Sequence, residues 1–200
     1  YTLILVLPIS LLFYYLGWFL SSNTHVADFT RAIGQGLQAA SKPLLFLQFF
    51  YRLFAEEGIA RNHFQWQKNT VKLLRKQIAW LRFVAVISVF IINCTAASKV
   101  TMHSDNLGRL ALIISMVAMA FFGGRLLNPN RGLLKDYINT NSEGWINKLR
   151  YIWYPAVISI PVVIIGFAVA GYYLSALELQ VQLIASLRLI FLVIIIHALV

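Results

Sequence analysis

The sequence predicts an all-α integral membrane protein: a multi-span helical bundle with five spans and a sixth, kinked one. Three observations carry this. Hydrophobic residues make up 60% of the 200 residues and charged residues only 12%, against ~45–50% and about 25% in soluble domains. Mean hydropathy is +0.73. The apolar residues fall into runs of spanning length rather than into short amphipathic stripes. A soluble core of this size cannot hide so much apolar surface, and disordered chains are poor in these residue types. A soluble globular enzyme is excluded at once.

A crossing helix needs roughly 20 mostly apolar residues at 1.5 Å rise across about 30 Å of hydrocarbon. Residues 1–20 qualify, with Pro8 and Gly17 inside and Tyr14, Tyr15 and Trp18 as an aromatic belt near one end. Residues 43–55 are apolar but too short alone. Joined to the Ala- and Gly-rich 32–41, they reach spanning length with Lys42-Pro43 as the expected kink. Residues 78–97, 107–127, 151–174 and 179–200 each qualify. Pro155 and Pro161 mark further bends in the fifth of the six segments. The organisation expected is a first pair of spans at 1–56, an amphipathic linker at 57–77, a helical hairpin at 78–127, a loop at 128–150 and a second hairpin at 151–200. The chain starts and stops inside apolar runs, the pattern expected for the middle of a longer protein.

Seventeen Lys and Arg against seven Asp and Glu give a formal charge of +10. In a soluble chain that balance suggests nucleic acid; in a membrane chain it orients the helices, because cytoplasmic loops collect Lys and Arg. Arg52, Arg61, Lys68, Lys72, Arg75, Lys76 and Arg82 crowd one connection, and only Lys99 lies in 98–106. Arg125, Arg131, Lys135, Lys148 and Arg150 crowd the next, and 175–178 has none. The alternation places 52–82 and 125–150 in the cytoplasm, with no nucleic-acid partner.

Catalysis would need polar groups clustered at membrane depth. His25, His63, His103 and His197 are scattered, and the acids Asp28, Glu56, Glu57, Asp105, Asp136, Glu143 and Glu178 lie at or outside span ends. No phosphate loop, Gly-x-Ser-x-Gly or metal-binding spacing occurs. The single cysteine, Cys94, excludes an intrachain disulfide. Neither enzyme activity, metal nor cofactor is expected. Arg188, nine residues into the last span, is the candidate intramembrane charge; such a residue costs ~2.5–3.5 kcal/mol on insertion scales unless it snorkels or finds a partner. Lys68, Lys72, Arg75 and Lys76 recur at i, i+4, i+7 and i+8, on one helical face. Val71, Leu74, Ile78 and Leu81 share another, and Trp80 and Arg82 mark the membrane entrance. A basic amphipathic helix feeding a span is expected to lie on the anionic cytoplasmic leaflet, at ~1 kcal/mol per basic residue. Lys68, Lys72, Arg75, Lys76, Trp80 and Arg82 are therefore the candidate lipid contacts.

Three stretches carry a resemblance. They are Gly58-Ile59-Ala60-Arg61-Asn62-His63-Phe64-Gln65-Trp66 before a basic segment, Asp105-Asn106-Leu107-Gly108-Arg109-Leu110, and Leu149-Arg150-Tyr151 through Pro161 to Gly171-Tyr172-Tyr173-Leu174-Ser175-Ala176-Leu177. In their order and spacing the chain resembles large mechanosensitive channels of Gram-negative inner membranes, the MscK- and MscM-type members of the MscS superfamily. The resemblance implies a homoheptamer whose subunits supply peripheral helices, a pore helix and a cytoplasmic vestibule, opening under membrane stretch in osmotic downshock. The family's Gly/Ala-rich pore helix and following β domain have no counterpart here. The chain therefore resembles the peripheral, tension-sensing helices that precede the pore, and ions would cross a pore not contained in it. A secondary transporter and a non-conducting membrane scaffold are the alternative readings. The missing midplane carboxylate counts against the transporter.

Overall fold

The computed structural model describes residues 2–22, 27–54, 68–98, 101–128 and 150–199; side chains are described from Val6, Lys72, Asn106 and Tyr154 onward in the segments that hold them, and up to Val193 in the last. Among these residues there are six α-helices and no strand: α1 Thr2–Ser22, α2 Asp28–Leu53, α3 Lys68–Ala97, α4 Thr101–Leu126, α5 Arg150–Val169 and α6 Tyr173–Leu199. Helices alone are what hydrocarbon permits in a single chain without a closed barrel, since each backbone donor must find its acceptor within the segment.

Consecutive helices pack as antiparallel neighbours. Gly17 of α1 lies against Gly34 of α2. Gly36, early in α2, faces Phe90, and Gln48, late in α2, bonds Arg82, so α3 runs back along α2. Thr95 sits beside Gly108 and Trp80 beside Phe121, so α4 runs back along α3. The Tyr154 hydroxyl donates to the Gly124 carbonyl at 3.2 Å, bringing the start of α5 to the end of α4. Gly171, at φ +99°, ends α5: the Tyr172 N–H reaches the Phe167 carbonyl at 2.9 Å and the Gly171 N–H the Ala168 carbonyl at 3.4 Å, the paired bonds of a glycine-terminated helix. The chain then reverses into α6, which runs parallel to α4, with Gln180 bonded to Ser115 at 3.0 Å. Near its other end Phe191 meets Phe50 of α2 edge-on, centroids 5.1 Å apart.

Two buried clusters hold the helices at two depths. Phe50, Leu53, Phe54, Leu74, Ile78 and Leu126 gather the end of α2, the start of α3 and the end of α4. Ile92, Ala111, Leu112, Met116, Ile164, Ala168 and Ala176 gather the opposite half. Much of the remaining apolar surface points outward, for example Leu11, Leu12, Tyr15 and Phe19 on α1 and Val162 and Val163 on α5.

Three stretches are long and apolar enough to cross a bilayer: Lys72–Ala97, Asn106–Leu126 and Tyr173–Val193. Val6–Ser22 and Tyr154–Val169 are apolar but shorter. α2 is not among them, because Arg31, Gln35, Gln38, Lys42, Gln48 and Arg52 dilute it. A helical membrane bundle follows; the number of crossings does not. The bend expected at Lys42-Pro43 falls within one continuous 26-residue helix. Pro43 has no N–H for the Ala39 carbonyl, so α2 lacks that one bond without being broken into two helices. Likewise the border expected between 77 and 78 lies inside α3, which runs 30 residues without interruption.

Inside hydrocarbon, apolar side chains gain nothing by leaving lipid for protein, so small residues that let backbones approach decide the packing. The α1–α2 crossing is built this way. A Cβ on Gly17 would stand 2.6 Å from the Gly34 carbonyl oxygen, and one on Gly34 2.7 Å from the Gly17 carbonyl oxygen. Both obstacles are backbone and cannot rotate aside. On the other side of α2, a Cβ on Gly36 would meet the Phe90 ring at 2.9 Å, so α2 is narrow toward both neighbours. Gly17→Ala and Gly34→Ala should each destabilise the bundle by ~1–3 kcal/mol, the usual cost of overpacking. Nothing lies within 4 Å of a Cβ on Gly123, so Gly123→Ala should be neutral or stabilising by up to ~1 kcal/mol through helix propensity. Thermal unfolding of the three variants in detergent micelles checks this; equal midpoints would refute the backbone crossing.

Candidate functional site: the basic end of the bundle

The up-and-down connectivity brings the end of α2, the start of α3, the end of α4 and the start of α5 to one end of the bundle. Arg52, Lys72, Arg75, Lys76, Arg82 and Arg125 therefore collect there from three different helices. Asp28 and Glu178, the acids whose side chains are described, belong to the opposite end. Charges separated in sequence become one cationic end through helix pairing.

Within that end the basic residues divide into two kinds. Lys72 and Lys76 are exposed and reach outward. Arg75 and Arg82 are half-buried and share one aromatic ring: their guanidinium carbons lie 4.9 and 5.1 Å from the centroid of Tyr51 on α2. Arg82 also lies 5.1 Å from the Phe83 ring and donates to the amide oxygen of buried Gln48. Guanidinium suits this position: it stacks on rings, is weakly hydrated for a cation, and keeps its charge when partly desolvated. Arg125 adds a third such pair, 4.2 Å from the Phe121 centroid. Phe121 in turn receives Trp80 edge-on at 5.7 Å, and the Trp80 indole N–H donates to Gln77 Oε1 at 2.7 Å. Arg75, Arg82 and Arg125 are thus tied to aromatic rings of three helices, while Lys72 and Lys76 remain exposed.

The apolar face of the basic helix is not open to lipid. Leu74, Ile78 and Leu81 are 2%, 4% and 6% exposed; Leu74 and Ile78 pack with Phe50, Leu53 and Phe54 of α2 and Leu126 of α4. Protein, rather than acyl chain, covers the face that the periodicity marked as apolar. Trp80 and Arg82, expected at the membrane entrance, engage Phe121 and Gln48 of neighbouring helices. The Lys68 side chain and the stretch 58–66 lie outside the described residues.

The remaining candidates stand apart from this site. Pro43 lies inside α2, Pro155 and Pro161 inside α5; Pro155 is exposed and Pro161 buried. Arg188 is exposed on α6, its Nε 3.5 Å from the Ile184 carbonyl of its own helix. Among the described residues no three His, Cys, Asp or Glu come together as metal ligands would. Sequence reasoning missed Gln48, Tyr51 and Arg125 as members of the site. Gln48 had a signal, a lone amide in an apolar run; Tyr51 had none, because only the pairing of α2 with α3 puts it between two arginines.

Known proteins give this arrangement a context. The whole chain, residues 1–200, matches the family described as mechanosensitive ion channel inner membrane domain 1, of MscS type. An uncharacterised MscS-family protein of Haemophilus influenzae is 31% identical over 139 residues, covering 67% of this chain and 12% of that relative. No solved structure matches. An all-helical bundle with long apolar helices and one cationic end is consistent with such a domain, and a family of ion channels is not a class of enzymes. The chain belongs to the MscS family, as a mechanosensitive-channel inner membrane domain.

Proposed function

We propose that this chain supplies peripheral, tension-sensing helices to a bacterial inner-membrane channel of MscK or MscM type, a homoheptamer that opens under stretch in osmotic downshock. The observation that carries the reading is the lipid-facing surface. In the apolar 18-residue stretches within Lys72–Ala97 and Tyr173–Val193 only 22% and 11% of the residues are buried in the bundle, so these helices offer long apolar faces to hydrocarbon. A helix layer coupled so broadly to lipid follows the membrane when its area grows. If the open state occupies more area in the bilayer plane, tension favours it in proportion to that difference, with no cofactor or chemical substrate needed. Suction on liposomes holding the full-length protein should evoke currents that rise with tension. Tension-independent solute flux would point to a transporter instead, and silence up to membrane rupture to a scaffold.

In this reading the cationic end faces the cytoplasm, and Lys68, Lys72, Arg75, Lys76, Trp80 and Arg82 meet anionic headgroups. Lys72 and Lys76, exposed on α3, are the freest of the described set to follow a headgroup. Arg75 and Arg82 are braced by Tyr51 and fix the depth of the helix. Orientation has a direct check. In a Cys94→Ala background, Lys76→Cys should resist an impermeant thiol reagent applied to whole cells, whereas Asn106→Cys, exposed at the other end of the bundle, should react. The reverse pattern would invert the topology.

The lipid reading is tested through gating. Four basic residues near the surface contribute ~1 kcal/mol each at low ionic strength, comparable with the gap between two states of a switching protein. Changing Lys68, Lys72 and Lys76 together to Gln, with Arg75 left on the Tyr51 ring, should shift the tension midpoint in bilayers containing anionic lipid, and leave it unmoved in neutral ones. Raising salt should reproduce part of the shift, because exposed charges are screened. One threshold for both proteins in both bilayers would confine the basic face to orienting the chain during insertion.

A further inference from the structure

Lys42 stands near the middle of α2 and points out of the bundle. Its level is fixed by α3, because Gly36 faces Phe90 and Gln48 bonds Arg82. Halfway between positions 36 and 48, Lys42 is level with Val86, near the centre of the apolar stretch Lys72–Ala97. At 1.5 Å per residue it lies roughly 16 Å from the nearer end of that stretch, too deep for its stem to carry the charge to headgroups. Among the described residues no hydrogen bond or ion pair reaches its ammonium.

The surface around it is polar in one direction only. Asp28, Arg31, Gln35, Gln38 and Lys42 share an arc of about 80° at 100° per residue, and between Asp28 and Lys42 no apolar residue falls inside that arc. Asp28, Gln35 and Lys42 are exposed, Arg31 and Gln38 half-buried. Gln38 leans on α1, where its amide donates to Ser21 Oγ at 3.3 Å. Past Lys42 the same side of α2 carries Leu45, Phe46 and Phe49. The stripe is thus hydrophilic from the Asp28 end to mid-depth, about 21 Å of helix, and apolar beyond. At the depth of Lys42 the neighbouring helices expose Leu11 and Leu12 on α1 and Ile87 on α3, side chains that lipid accepts.

A charge at this depth turns away from hydrocarbon, toward a protein partner or water-filled space. Among the described residues the bundle offers Lys42 no carboxylate: Asp28 lies about 21 Å along the same helix, and Glu178 belongs to the first turns of α6 at the far end. A single acidic helix docked on Lys42 would require polarity only opposite its acid. Here the polarity is unbroken from the end of the helix inward, and its guanidinium, amide and ammonium groups need both donors and acceptors, which water supplies together. We infer that the Asp28–Lys42 face of α2 lines a water-filled crevice. It opens at the end of the bundle opposite the cationic one and closes at mid-depth, where Leu45, Phe46 and Phe49 begin. Lys42 stands at its floor. With Arg31 above Lys42 and Asp28 at the mouth, the stripe carries a positive balance, and low-dielectric walls focus that charge so that it concentrates small anions from solution. This crevice is separate from the basic end of the bundle, and the inference stands independently of conduction.

The test uses the full-length protein in liposomes, in a Cys94→Ala background, with charged thiosulfonate reagents on both faces of the membrane so that topology does not enter. Gln35→Cys and Lys42→Cys should react severalfold faster with the anionic sulfonatoethyl reagent than Leu45→Cys, one turn past the floor, or Ile87→Cys, exposed at the same depth on α3. These four side chains point out of the bundle, so the substitutions leave its interior packing alone. Lys42→Cys as slow as Ile87→Cys overturns the crevice, whether lipid or another helix covers the face. Leu45→Cys as fast as Lys42→Cys overturns the closed floor. Anion concentration is read at Gln38→Cys, one turn from Lys42. The ratio of its rates with the anionic and the cationic trimethylammonioethyl reagent should fall severalfold when Lys42→Gln is added and return with Lys42→Arg. A ratio that Lys42→Gln leaves unmoved overturns Lys42 as the group that attracts anions.

Discussion

Water does not push these helices together once they lie in a bilayer; lipid is as apolar as leucine, and only close fit and polar pairing favour protein over lipid. That constraint explains where the glycines and the few buried polar groups sit. Gly17 and Gly34 bring two backbones into contact, and Gly36 lets the Phe90 ring and backbone approach α2 closely. At the other crossings the fastening is polar: Gln180 to Ser115 between α6 and α4, Tyr154 to the Gly124 carbonyl between α5 and α4. Remove these and the long apolar helices have as good a partner in lipid as in each other.

The cationic end has a different logic, because charged side chains collect there beside an aromatic cluster. The Phe50–Leu53–Phe54–Leu74–Ile78–Leu126 cluster lies there, with Phe46, Phe49, Tyr51, Phe122 and Phe191 packed against it. Arginines stacked on Tyr51 and Phe121 border that cluster. A guanidinium on a ring keeps one side dry and the other available to phosphate or water. The α2–α3–α4 contact thus brings an apolar cluster and ring-stacked arginines together at one end of the bundle.

Burial can mislead when periodicity is read alone. The face of Leu74, Ile78 and Leu81 has the spacing of a helix lying on a membrane surface, and the basic face beside it strengthens that expectation. A helix wheel reports which side is apolar but not what covers it. Here the end of α2 does, and the segment continues directly into a crossing helix.

Composition was enough to indicate an all-helical membrane chain, and among the described residues Arg52, Arg75, Arg82 and Arg125, which the charge alternation grouped together, do lie at one end of the bundle. Both depend on the energy of moving residues between water and hydrocarbon, which each residue pays by its own type. The resemblance to MscS-type channels was also legible, because it rests on residue order. What sequence could not supply were contacts between residues far apart in the chain. Tyr51 between Arg75 and Arg82, Gly17 against Gly34 and Gln180 on Ser115 exist only because particular helices became neighbours. The two glutamines of α6, Gln180 and Gln182, make the point most simply. Alike in type and nearly alike in depth, they are separated by two residues, and the rotation that this imposes turned one inward to α4 and the other out of the bundle.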